Sequence, residues 1–205
     1  MKPIRLTIAL LAIVSSSVSS LAGDSDVIGF GEKYVSRNCT WCHGPSLQGF
    51  AISPRLAGQG RQYIENQLER LRSHSRNNPY SVAYMANTAA SLSPETAHAV
   101  AVYLSTLTPE TRADGNKDRA AEGEAIFQGG IPSSNVPACA FCHGPEAQGV
   151  REMPRLGGQS YYYLKRRLTQ WNEGYSGSAE HMPGVASTLS PDNIEALASY
   201  LSFVK

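Results

Sequence analysis

Net charge is nearly absent from this chain: 18 Lys and Arg face 17 Asp and Glu in 205 residues. Without a basic excess it has no electrostatic footprint for nucleic acid, so nucleic acid is not expected as a partner. Long apolar runs are also lacking. The one candidate, Leu6 to Val14, falls short of the roughly 20 apolar residues that span a bilayer. Lys2 and Arg5 precede it, and small residues follow to Leu21-Ala22. Residues 1–22 therefore read as a secretory signal peptide cleaved after Ala22, the alternative being an uncleaved anchor. No segment alternates as a strand does, which points to an all-α fold. Cysteine is scarce too, at four residues. Outside the cytoplasm, paired cysteines would ordinarily become disulfides.

All four cysteines lie in two five-residue patterns one hundred positions apart. They read Cys39-Thr40-Trp41-Cys42-His43 and Cys139-Ala140-Phe141-Cys142-His143. C-x-x-C-H is the attachment signature of c-type haem, and the histidine in fifth place favours haem over a disulfide. Two thioethers would fasten each porphyrin, and His43 and His143 would reach the irons. The expected cofactors are two covalently bound c-type haems.

The repetition extends well past these motifs. Pro54-Arg55-Leu56-Ala57-Gly58-Gln59 is matched by Pro154-Arg155-Leu156-Gly157-Gly158-Gln159, and Tyr63 by Tyr163. Met85 pairs with Met182 and Tyr103 with Tyr200, now at an offset of 97. Gly31 finds its match in Gly123, so the second copy carries extra residues around 129–137, read as a loop. Thr106 to Lys117 is rich in Thr, Pro, Asp, Gly and Asn and reads as a linker. The expected organisation is a signal over 1–22, a first domain over 23–113 and a second over 114–205.

Helical spacing is plain in Arg61–Arg72 and Tyr161–Trp171. A further helix is expected over Val27–Asn38. The last helix of each copy begins Ser93-Pro94 or Ser190-Pro191, an N-cap followed by proline at the first helical position. Each copy has fewer than 100 residues, marginal for an apolar core. A haem would supply the missing apolar surface.

A haem iron used for electron transfer needs a second axial ligand besides histidine. Met1 lies in the signal, and Met153 stands where the first copy has Ser53. Met85 and Met182 recur, each about forty residues after its histidine and in a loop able to fold over the far face of the haem. A methionine is otherwise core filler; recurrence in both copies favours axial ligation. His181, beside Met182, is the competing ligand; His74 and His98 have no counterpart. Pro54 and Pro154 offer carbonyls to the ring N–H of a ligating histidine. Arg55 and Arg155 match haem propionates in geometry, or are ordinary surface arginines. Gln59, Tyr63, Gln159 and Tyr163 are further propionate candidates. Trp41 and Phe141 face either porphyrin or helix.

Two C-x-x-C-H units, each followed by Pro-Arg-Leu-(Ala/Gly)-Gly-Gln and later by a methionine and a Leu-Ser-Pro helix start, resemble the dihaem cytochrome c4 family. The resemblance covers about 26–203. It implies two tandem class I cytochrome c domains, each wrapped around one covalent haem and related by a pseudo-twofold, with propionates facing across the interface. It assigns Cys39, Cys42, His43 and Met85 to one haem, and Cys139, Cys142, His143 and Met182 to the other. It also implies periplasmic electron transfer in a Gram-negative bacterium between redox proteins, from a cytochrome complex to a terminal oxidase or reductase, and loose membrane association in some members. The main rival is a dedicated cytochrome subunit of a larger redox enzyme, such as a flavoprotein sulfide dehydrogenase. A dihaem enzyme is disfavoured, because methionine on both irons leaves no open position and no spare cysteine remains.

Overall fold

Ten α-helices dominate the described residues of the computed structural model, which are 17–50, 52–175 and 181–205. The expected signal over 1–22 lies outside them except for the backbone of 17–22, which forms the start of α1. Among the described residues no strand forms, and no helix is long and apolar enough to cross a membrane.

The first copy comprises α1 (Ser17–Asn38), α2 (Thr40–His43), α3 (Arg61–Arg72), α4 (Ala86–Ala90) and α5 (Pro94–Thr106). The second comprises α6 (Lys117–Gly129), α7 (Ala140–His143), α8 (Tyr161–Asn172), α9 (Met182–Ala186) and α10 (Pro191–Phe203). Both expected caps form. Ser93 accepts the N–H of Thr96 at the start of α5. Ser190 and Asn193 exchange bonds in a full capping box at the start of α10. Each cap satisfies helix N–H groups that would otherwise have no partner.

In each copy the first helix packs on the last: α1 on α5, and α6 on α10. Glycine makes both approaches possible. A Cβ on Gly31 would lie 2.2 Å from the carbonyl oxygen of Ala99, and one on Gly123 would lie 2.1 Å from that of Ala196. Tyr103 and Tyr200 stand beside them in turn. One helical turn on, Val35 and Phe127 are both fully buried, in two separate cores. The second core fills its space with the larger ring, which lies 5.6 Å from that of Tyr200.

Residues 129–137 are more ordered than a plain loop. Ile131 and Val136 bridge around a 3₁₀ turn over Pro132–Ser134, and Val136 is buried in the second core. Apolar residues at both ends of the insertion let it fold back on α6 and α10 instead of projecting into solvent.

The linker is held along its length. Gln48 donates to the Thr108 carbonyl and accepts the Glu110 N–H, both at 2.9 Å. Farther along, Arg112 donates to Gly158, Ala113 to Ser202 and Asn116 to Ser199. The Asp114 carboxylate accepts the N–H of Tyr161. Contacts pass from the first copy to the second between Glu110 and Arg112.

Two candidate haem sites

Each C-x-x-C-H stretch is one helical turn. His43 N–H donates to Cys39 O at 3.0 Å, and His143 N–H to Cys139 O at the same distance. Residues at i, i+3 and i+4 share a helix face, so the two thiols and the imidazole of each motif point to one side. Cys39 and Cys139 are half-buried, Cys42 and Cys142 exposed, and all four are free. Burial, with the nearby partner thiol of each motif, pushes Cys39 and Cys139 up to about 11.

Both histidine rings are buried. His43 Nδ1 lies 2.8 Å from the Pro54 carbonyl, and His143 Nδ1 lies 3.0 Å from that of Pro154. A carbonyl only accepts, so Nδ1 carries the proton and Nε2 keeps its lone pair. Burial lowers both imidazole pKa values, with the proline carbonyls opposing. A buried neutral ring with a fixed tautomer and a free Nε2 is the form a metal ligand takes.

The methionines are not on loops, as the spacing alone suggests, but on short helical turns. Met85 ends a π-helical turn over Ser81–Met85 that runs into α4. Buried Asn78 fixes that turn by bonding both the hydroxyl and the N–H of Ser81. Met182 opens α9 and packs against the second core. Asn172 holds α9 through its Nδ2, which contacts the carbonyls of Ala186, Ser187 and Leu189. His181 is exposed, as are His74 and His98, the last paired with Glu65 at 2.8 Å.

The Pro-Arg-Leu segments meet across the seam between the copies. Arg55 is buried, and its two terminal nitrogens donate to the carbonyls of Glu110 and Gly157. Burial, and then the charge of Arg155, pulls its pKa down to about 10. Arg155 is half-buried, and its Nε, like that of Arg166, is shielded from solvent with no partner. Gln59 and Gln159 bond to backbone across the seam. Arg76 donates to the hydroxyl of Tyr163 at 3.2 Å. Burial would raise the Tyr163 pKa, but Arg76, Arg167 and Arg166 outweigh it and bring it down. Arg166 also donates to the Ile52 carbonyl and stacks 4.2 Å from the Tyr80 ring centre. Trp41 and Phe141 face neither core, being 88% and 89% exposed.

Sequence reasoning missed Arg76 and Arg166. Arg166 stands where the first copy has Asn66, and Arg76 is not a repeated residue either, so repetition marked neither. Gln59 and Gln159 were visible as a repeat, but their bonding across the seam was not.

A haem brings two vinyl groups for thiols, an iron for imidazole and two carboxylates for cations. The residues present fit it: free thiols and an open Nε2 on one face of each motif turn, and an Nε on Arg155 shielded from solvent without a hydrogen-bond partner.

Comparison with known proteins agrees with this geometry. Residues 30–108 match the family model described as cytochrome c, and residues 118–201 match that of cytochrome c oxidase, cbb3-type, subunit III. The chain is 32% identical to cytochrome c4 of Pseudomonas aeruginosa, covering 94% of each chain. It belongs to the dihaem cytochrome c4 family. It is 34% identical to a thiosulfate dehydrogenase electron acceptor of Stutzerimonas stutzeri, covering 100% of this chain and 97% of that one. The solved cytochrome c4 of Acidithiobacillus ferrooxidans superposes with a TM-score of 0.76 at 36% identity, over 82% of this chain and 99% of that one. As a member of this family the chain carries two covalently bound c-type haems and is a dihaem electron carrier with redox proteins as partners.

Proposed function

We propose that this chain is a periplasmic electron carrier without catalytic chemistry of its own. It takes electrons from a quinol-oxidising complex or a dehydrogenase and delivers them to a terminal oxidase or reductase. Its first domain, 23–113, attaches one haem through Cys39 and Cys42 and ligates the iron through His43 and Met85. Its second, 114–205, uses Cys139, Cys142, His143 and Met182. Pro54 and Pro154 orient the imidazoles, and Arg155 would meet propionate charge, whereas Arg55 spends its terminal nitrogens on the carbonyls of Glu110 and Gly157.

The observation that carries this reading is the matched pair of histidines. Each ring is buried, and each gives its Nδ1 proton to the proline eleven residues on. With His43 and Met85 on one iron and His143 and Met182 on the other, neither would have a position open to a substrate. The haem supplies one-electron redox chemistry at a potential raised by thioether ligation. The chain fixes the orientation of each imidazole and would hold each haem through its two thiols and that ring.

Redox titration followed by absorbance tests it. Wild type should show two six-coordinate haems. Met85→Ala should lower the potential of one and abolish its near-infrared Met–ferric band; Met182→Ala should do so for the other. Unchanged spectra in both variants would discard the methionine ligands.

A second reading draws on the relative from Stutzerimonas stutzeri, whose name makes it the electron acceptor of a thiosulfate dehydrogenase. On that reading this chain is a dedicated acceptor in a sulfur-oxidising enzyme. A stable stoichiometric enzyme partner on purification would favour it over the free carrier.

A further inference from the structure

The peptide unit joining Pro54 to Arg55 is hydrogen-bonded at both ends. Its oxygen accepts from His43 Nδ1 at 2.8 Å, while its N–H donates to Oε1 of Gln159 at 2.8 Å. The peptide joining Pro154 to Arg155 repeats the pattern. Its oxygen accepts from His143 Nδ1 at 3.0 Å, and its N–H donates to Oε1 of Gln59 at 2.7 Å. Each glutamine therefore belongs to the opposite half of the chain. Each is locked in place. Gln159 Nε2 donates back to Arg55 O, and Gln59 Nε2 to Arg155 O, both at 3.1 Å. A second N–H, from Ser160 or Gly60, fixes each Oε1. Both side chains are buried.

We propose that Gln59 and Gln159 are crossed positioning residues, each setting the reduction potential of the haem in the other half through one shared peptide. The proposal rests on His43 and His143 being axial ligands, as above. Hydrogen bonds in a chain polarise one another. A peptide whose N–H is bonded has a more electron-rich oxygen, which draws harder on the imidazole Nδ1 proton. The ring then becomes a stronger donor to iron and favours the ferric state. Removing Gln159 should weaken that pull on His43 and raise the potential of the first haem. Removing Gln59 should do the same to the second haem through His143. A clamp that only held the halves together would disturb both haems or neither.

The test is a redox titration of the intact dihaem protein and of Gln159→Leu, Gln59→Leu and the double variant, with the two waves assigned from haem-methyl NMR shifts. Gln159→Leu should raise the potential of the haem on Cys39 and Cys42 and leave the other in place. Gln59→Leu should give the mirror result, and the double variant both shifts. Equal movement of both waves, movement of the haem in the substituted half, or no movement would overturn the proposal. A measurement on the unaltered chain guards against variants that fail to fold. With ¹³Cδ-labelled glutamine, the redox-difference infrared spectrum should show a side-chain carbonyl band that shifts on reduction; an unshifted band would overturn it. Six-coordinate spectra test the ligand reading separately. Their absence would overturn the ligand set and the crossed tuning together, whereas intact spectra with uncrossed shifts would overturn the tuning alone.

Discussion

Gly123 and Ala196 are packed backbone to backbone, with room for no carbon between them: a Cβ on Gly123 would sit 2.1 Å from the Ala196 carbonyl oxygen. The obstacle is main chain, so no side-chain rotation relieves it. Gly123→Ala should therefore push α6 off α10 and destabilise the second domain by about 1–3 kcal/mol, the range for an overpacked core. Gly29→Ala is the control. Gly29 lies in α1 with nothing within 4 Å of its Cβ position. That change should be neutral or stabilise by about 0.5–1 kcal/mol. Denaturant unfolding followed by circular dichroism separates the two.

Arg55 joins linker to second copy by giving one terminal nitrogen to Glu110 and the other to Gly157. Arg55→Met keeps most of the volume but leaves two shielded carbonyls without donors. Each unsatisfied group costs about 1–3 kcal/mol. The variant should unfold at lower denaturant, with a loss on the order of 2–3 kcal/mol. Arg55→Lys should recover only part of this, since an ammonium group lacks the planar fork that reaches both oxygens. Full recovery by lysine would mean that charge, not geometry, holds the seam.

Glu195 is held below the ordinary carboxylate value of 4.5, first by its hydrogen bond from Lys165 at 2.7 Å and then by the Tyr161 hydroxyl. A depressed carboxylate adds stability above its unfolded pKa and loses it as pH falls through the folded one. The melting temperature of wild type should thus exceed that of Glu195→Gln at neutral pH. The gap should close progressively from about pH 4.5 downward. Solvent screens this pair, so the gap corresponds to about 1 kcal/mol or less. A gap that widens in acid would contradict the assignment.

Much of the fold could be read from local chemistry. Ser93 and Ser190 cap the helices their sequences announce, because a cap needs only residues three positions apart. The pairing of Gly31 with Gly123, reached by aligning the repeats, reappears as the same helix crossing in each copy. The turns bearing Met85 and Met182 were not legible. They are held by Asn78 and Asn172, whose bonds to them leave no periodic trace. The insertion over 129–137 looked like a loop because proline and serine dominate it, yet Ile131 and Val136 fold it onto the core. The seam was least visible of all. Arg166 meets the Ile52 carbonyl across 114 positions of sequence, and no short-range pattern encodes such a contact.

The bonds that Gln59 and Gln159 make to the opposite Arg155 and Arg55 have the reciprocal form of a contact in a twofold dimer. Residue i of one half meets residue j of the other, and j meets i. Deleting either repeat would strip the surviving arginine of the acceptor its N–H uses and of the donor its own carbonyl uses. Losing either glutamine leaves an arginine N–H without its acceptor about a hundred residues away in the opposite half.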